Sequence, residues 1–193
     1  GDLTAYLDDL TLKGVPDYRV DFSQLELDCW TGLHREVPQF GRLKGHTYLD
    51  GPWMSLSCGD FGETYTGHHG WEDLSVTCTL RPQTGEIHLL LARVQGAMRS
   101  YGAGFFGEGK VALVKNHKGY RVFAQREFPW QRDREYRLTF TVKGNRLTLA
   151  LGEEVLLEWE DLEKPLERGC IGFAVQEGSH CLYGDLEVKG ESR

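Results

Sequence analysis

The sequence predicts an all-β protein, an antiparallel two-sheet sandwich, and three observations carry that prediction. Short apolar–polar alternations recur along most of the 193 residues, the period-two signature of strands with one buried face. Glycine-rich turns separate them at the spacing of sandwiches rather than of βαβ units. The closing stretch, residues 169–190, holds two such alternations: Ile171, Phe173 and Val175, then, past Gly178-Ser179, Leu182, Gly184, Leu186 and Val188.

The elements follow in order. The first third is least regular. Ser23-Gln24-Leu25-Glu26 fits a capping box and predicts a short helix start, and residues 47–57 read as strand. Leu74, Val76, Cys78 and Leu80 then alternate with Ser75, Thr77 and Thr79. Residues 110–114 and 120–124 flank Asn116-His117-Lys118-Gly119, a good hairpin connection. Tyr136, Leu138, Phe140 and Val142 form the next inward row, Gly144-Asn145 turns the chain, and Leu147, Leu149 and Leu151 return it. Gly152-Glu153 leads into residues 155–159. One sandwich is expected over 1–193. Residues 6–14 loosely echo 182–190, so 1–14 read either as its first strand or as the end strand of a preceding domain.

Lys plus Arg number 22 against 29 Asp plus Glu, a net charge of −7. That balance argues against nucleic acid and anionic membrane as partners, since both demand a positive surface. No apolar run is long enough to span a bilayer. Five cysteines (Cys29, Cys58, Cys78, Cys170, Cys181) show no Cys-x-x-Cys pairing, so zinc is not expected. Buried, reduced thiols in a cytoplasmic protein are. Cys170 and Cys181 flank what reads as one hairpin, which could bring them together.

The wording of residues 169–190 resembles the final strands of concanavalin A-like (laminin G-like) β-sandwiches, jelly rolls many of which bind carbohydrate. Trp71-Glu72-Asp73-Leu74, Arg93-Val94-Gln95-Gly96, Ala112-Leu113-Val114-Lys115-Asn116 and Gly144-Asn145-Arg146-Leu147 are phrased like the sugar-binding members. More narrowly, residues 14–18, 62–67, 93–101 and 175–180 resemble the domain that follows the catalytic part of bacterial ADP-ribosylglycohydrolase-family proteins. The resemblance implies a non-catalytic accessory module binding a saccharide or ribose-containing ligand, with the catalytic domain of its own parent chain as a second partner. That catalytic domain is helical and holds magnesium with acidic residues. Nothing here reads as it, so its activity is not carried over. Calcium is common in related sandwiches, but no dense acidic loop demands it and no cofactor is expected.

Arg93 and Gln95 share a strand face by period two, and Arg99 and Tyr101 continue the phase if the strand is continuous or gently bulged. Leu90, Ala92, Val94 and Met98 would then face the core. Guanidinium forks can hold vicinal hydroxyls or a carboxylate, and an aromatic ring offers the apolar platform that sugar C–H faces need. A solvated outer face explains the same residues equally well. Glu63 and His68, with Asp60, Tyr65, His69 and Trp71, lie in a glycine-rich stretch that could form a rim. Glu177 and His180, with Gln176, flank the last turn. An ordinary polar hairpin tip is the plainer account of that group. Tryptophans beside proline, Trp53 and Trp130, would suggest stacking platforms if exposed, though burial is their default.

Two motifs are decoys. Gly104-x-x-x-x-Gly109-Lys110 continues with Val111 where a P-loop needs Ser or Thr, and a strand follows instead of a helix. Glu158-x-Glu160-x-x-Glu163 resembles a sandwich-glycosidase carboxylate row, but its middle acid is Glu and a solvated loop follows. The rival functions are a sandwich glycoside hydrolase and a structural docking domain.

Overall fold

The computed structural model describes residues 16–20, 22–23, 31–32, 45–96 and 98–191, and every regular element among them is a strand. In chain order these are β1 (Asp17–Val20), β2 (Thr31–Gly32), β3 (Gly45–Asp50), β4 (Trp53–Cys58), β5 (Phe61–Thr66), β6 (Leu74–Thr84), β7 (Ile87–Val94) and β8 (Arg99–Phe106). There follow β9 (Lys110–His117), β10 (Tyr120–Glu127), β11 (Tyr136–Lys143), β12 (Arg146–Leu151), β13 (Glu154–Glu160), β14 (Cys170–Gln176) and β15 (His180–Gly190). The capping-box helix, residues 6–14 and Cys29 lie outside the described residues.

One sheet has eight strands in the order β13-β12-β11-β6-β15-β4-β3, with β1 also on β15. The other has seven in the order β10-β9-β8-β7-β14-β5-β2. Between them lies the main core. β6 follows the predicted alternation along its length, sending Leu74, Val76, Cys78 and Leu80 inward. β11 meets it with Leu138 opposite Cys78 and Phe140 opposite Val76. On the outer side Thr77 and Thr139 join hydroxyls at 2.9 Å, a cross-strand polar pair. The three predicted hairpins β9–β10, β11–β12 and β12–β13 all form.

β7 does not alternate: all of Ile87–Val94 is buried. Leu90 and Ala92 join the main core, whereas Ile87, Leu89, Leu91 and Val94 form a second cluster with Ala112, Val114, Cys170 and Ala174. The seven-stranded sheet is thus buried on both faces there, which erases the period-two signal.

The last two strands are not a hairpin. β14 lies in the seven-stranded sheet and β15 in the eight-stranded one, so residues 177–179 cross between layers. Ser179 Oγ anchors the crossing by accepting from the backbone N–H groups of Glu86 and Ile87, each at 3.1 Å. Phe173 and Tyr183 then stack across the core with centroids 4.1 Å apart. This separates the two flanking thiols: Cys170 belongs to the outer cluster, Cys181 to the main core. The four described cysteines are free and buried, and burial pushes Cys58 and Cys170 up to about 11, far from reactive thiolate character.

Candidate functional site

Among the described residues, the connections 67–73, 144–145 and 161–169 converge at one end of the sandwich with residues 95, 96, 98, 118 and 119. The connection 161–169 acts as a strap across that end. Asp161 is the anchor, almost wholly buried. Its Oδ2 accepts from Tyr101 OH and Lys115 Nζ, both at 2.6 Å, and its Oδ1 from the Glu163 N–H at 3.0 Å. Burial pushes this carboxyl up, but the bonds from Lys115 and Tyr101 outweigh it and leave it below the ordinary range. Lys115 Nζ also donates to the carbonyls of Glu163 (3.0 Å) and Lys164 (2.9 Å), and Tyr101 OH accepts from the Leu166 N–H at 2.8 Å. The strap is therefore fixed by groups with few alternatives, since each would be left buried and unpaired without it.

Arg93 fixes the next stretch, and its placement differs from the sequence expectation. Leu91 pairs with Gly172 and Val94 with Cys170, so two residues, Ala92 and Arg93, face the single Ile171. This is a β-bulge, and Arg93 takes it up with φ = 51°. The bulge breaks the phase. Val94 joins the outer cluster, while Arg93 turns inward and is 2% exposed. Its Nη2 pairs with Asp73 at 3.0 Å, Nε donates to the Glu72 carbonyl at 3.0 Å, and Nη1 donates to the carbonyls of Gly144 and Leu166. Gly169 crosses directly above it: a Cβ there would stand 2.4 Å from the Arg93 carbonyl carbon, and φ is +154°. Only glycine fits that approach.

Tyr101 is likewise fully buried. Two of the four predicted platform residues are thus committed to holding the end together. The other two remain outside. Gln95 and Arg99 are exposed and line one side of a 390 Å³ groove with His69, Glu167 and Arg168. Gln95 Nε2 donates to the Arg168 carbonyl at 2.7 Å. Met98, expected in the core, is 48% exposed.

On the other side of the strap lies a 260 Å³ groove lined by Arg99, His117, Arg121, Phe123, Glu163 and Lys164, among others. Phe123 reaches it through a second bulge: Val122 pairs with Val114 and Ala124 with Leu113, leaving Phe123 extra. Its ring stacks on Trp159 of β13 at 5.4 Å and 19°. Trp159 is 39% exposed. This aromatic pair was not singled out from the sequence, because neither bulge nor sheet edge is visible there. The tryptophans that were, Trp53 and Trp130, pack over Gly184 and against Phe105.

The other candidates are not gathered here. Glu177 and His180 sit at the opposite end, Glu177 in the crossing turn and His180 bonded to Ser55 Oγ at 2.8 Å. His68 is exposed, with Nδ1 accepting from the Gly70 N–H, and its neighbour His69 is the one in the groove. Glu63 is 1% exposed, on the outer face of the seven-stranded sheet. Its Oε1 accepts from Tyr120 OH (2.6 Å) and Asn116 Nδ2 (3.3 Å), while Oε2 has no partner among the described residues. Burial dominates and pushes this carboxyl up to about 8 against those two bonds, so it is largely protonated at neutral pH. Glu158 pairs with Arg146 at 2.6 Å on the surface of edge strand β13, as a solvated acid should. Among the described residues no group of three or more His, Cys, Asp or Glu is placed to hold a metal ion.

The two layers, their strand order and the loop-end grooves define a concanavalin A-like jelly-roll sandwich. Solved structures of this architecture include the carbohydrate-binding module CBM66 from Bacillus subtilis, at 15% identity and TM-score 0.69 over 84% of this chain and 96% of that one. A Bacillus subtilis protein of unknown function with a galectin-like fold matches at 16% and 0.70 over 93% and 100%. A Bacillus licheniformis beta-glucanase matches at 12% and 0.66 over 91% and 98%. At these identities the likeness establishes the fold. No family model matches the chain, and no curated protein matches it.

Proposed function

We propose that this protein is a non-catalytic saccharide-binding module whose ligand lies at the strap end of the sandwich. One observation carries the reading. The stacked Phe123–Trp159 pair adjoins a groove holding two exposed guanidinium groups, Arg99 and Arg121. Sugars need that combination, an apolar ring for their C–H faces and fixed forks for their hydroxyls. The pinned strap supports it by holding the groove wall rigid, which lowers the ordering cost of binding. A glycosidase would need two carboxylates facing one groove. Beside Phe123 the lining offers one, Glu163, and in the groove of Gln95 and Arg99 one, Glu167. A 540 Å³ groove over Arg93 holds three, Glu72, Asp73 and Glu167, but there Asp73 is committed to Arg93 and the Gly144 N–H.

The finer reading is an accessory module of a larger ADP-ribosylglycohydrolase-type protein, in the cytoplasm. It rests on the phrases at 14–18, 62–67, 93–101 and 175–180 and on the free thiols. A glycan array including ADP-ribose, with and without calcium, tests both levels. A hit lost in Trp159→Ala with the fold retained supports saccharide binding here. A blank on folded protein would reject it in favour of a docking domain.

A further inference from the structure

Charge is distributed unevenly. The chain carries a net −7, yet the groove beside Phe123 is walled by Arg99, Arg121, Lys164 and His117, with Glu163 as its one acid. Lys115, also in the lining, is already neutralised by Asp161 at 2.6 Å. Arginines elsewhere among the described residues divide. Arg19, Arg81, Arg93, Arg126, Arg137 and Arg146 each have a carboxylate partner, whereas Arg132, Arg134 and Arg168 form no ion pair. Arg99, Arg121, Lys164 and His117 form no ion pair among the described residues either. What sets this lining apart is that its unpaired basic groups share one concave wall.

A concave wall with three unpaired cations, Arg99, Arg121 and Lys164, on an otherwise acidic protein is a site for an anion. From this, and resting on the saccharide-binding reading, we infer that the ligand is an acidic saccharide. A carboxylate, sulfate or phosphate on the sugar is held by Arg99 and Arg121, while the sugar ring lies against Phe123, which Trp159 backs. Two planar forks can grip an oxyanion bidentately where a hydroxyl would take single bonds. The acidic remainder of the surface repels the rest of an anionic chain, so recognition concentrates at this end.

The experiment uses the whole protein and matched probes: oligogalacturonate, its fully methyl-esterified form, a heparin-derived oligosaccharide and poly-glutamate, titrated calorimetrically at low and high salt. The acid form, sulfated form or both should bind at least about tenfold more tightly than the methyl ester. That binding should weaken with salt, and Arg99→Ala and Arg121→Ala should each cost a similar factor. Both variants are at exposed positions and should stay folded. Equal affinity for the acid and its ester would overturn the acidic-ligand inference while leaving saccharide binding standing. Poly-glutamate binding as tightly would overturn the sugar component and leave a bare anion site. Acid binding unchanged in a variant combining Arg99→Ala with Arg121→Ala would overturn the placement. No binding to any of these sugars by folded protein, with neutral glycans bound on the array, would overturn the inference alone. A blank on both would remove the saccharide reading as well.

Discussion

Arg93 and Arg99 stand on neighbouring strands at the same end of the sandwich, and their fates are opposite. Arg93 is sealed in with one carboxylate and three carbonyls. Arg99 lines grooves on both sides of the strap with no ion pair among the described residues. The difference is set by the backbone: a single bulge turns Arg93 inward. Residue type alone announces chemistry, and burial decides whether it serves the fold or a ligand.

Four substitutions sharpen or break that contrast. The largest effect should come from Arg93→Ala, which takes a buried donor from three carbonyls and leaves Asp73 with the Gly144 N–H in place of its ion pair. About 3–5 kcal/mol of stability should be lost, read by denaturant unfolding. A near-neutral result would show that Arg93 is not structural. Glu63→Gln comes next and acts through pH. Its ordinary value of 4.5 rises to about 8 in the fold. Between those values the folded state keeps a proton the unfolded state sheds. Its contribution is complete below about 4.5 and vanishes as pH climbs through 8, a slope of at most about 1.4 kcal/mol per pH unit. The amide should flatten that slope and leave the variant more stable than wild type in alkali. His88, pushed by burial down to about 4, gives an opposite slope between about 4 and 6.5 in both proteins. The difference between their pH–stability curves therefore isolates Glu63.

Tyr101→Phe should cost about 1–3 kcal/mol, because Asp161 loses a donor and the Leu166 N–H its acceptor. Limited proteolysis should show cleavage within 161–169 before general unfolding. Arg99→Ala should leave stability within about 0.5 kcal/mol of wild type while it weakens acidic-saccharide binding about tenfold. If it unfolds the protein instead, the contrast with Arg93 fails.

The parts of the fold with one wet face were legible. β6 and β11 alternate cleanly, and Gly144-Asn145 and Gly152-Glu153 turn where their glycines allow. β7 was not legible in the same way, because burial on both faces replaces alternation with a continuous apolar run, whereas β14, also buried on both faces, was still betrayed by Ile171, Phe173 and Val175. The crossing at 177–179 looked like a hairpin turn because a Gly-Ser step suits either, and only pairing partners far along the chain distinguish them. Of the candidate site, Gln95 and Arg99 were readable as polar residues on an open surface. Phe123 and Trp159 were not, since their meeting depends on a bulge and on two sheets closing at their edges.

The place of β15 has a consequence for synthesis. It bridges β4 and β6 in the middle of the eight-stranded sheet, so those earlier strands find each other only through residues 180–190. Translation proceeds at about 5–20 residues per second. For the seconds separating residue 84 from residue 190, a growing chain carries unpaired strand edges and open apolar faces. Completion of this layer waits for residues 180–190 to emerge, and is slow by the measure of sequence separation. The emerging segment is a natural client for whatever shields nascent β-structure from its neighbours.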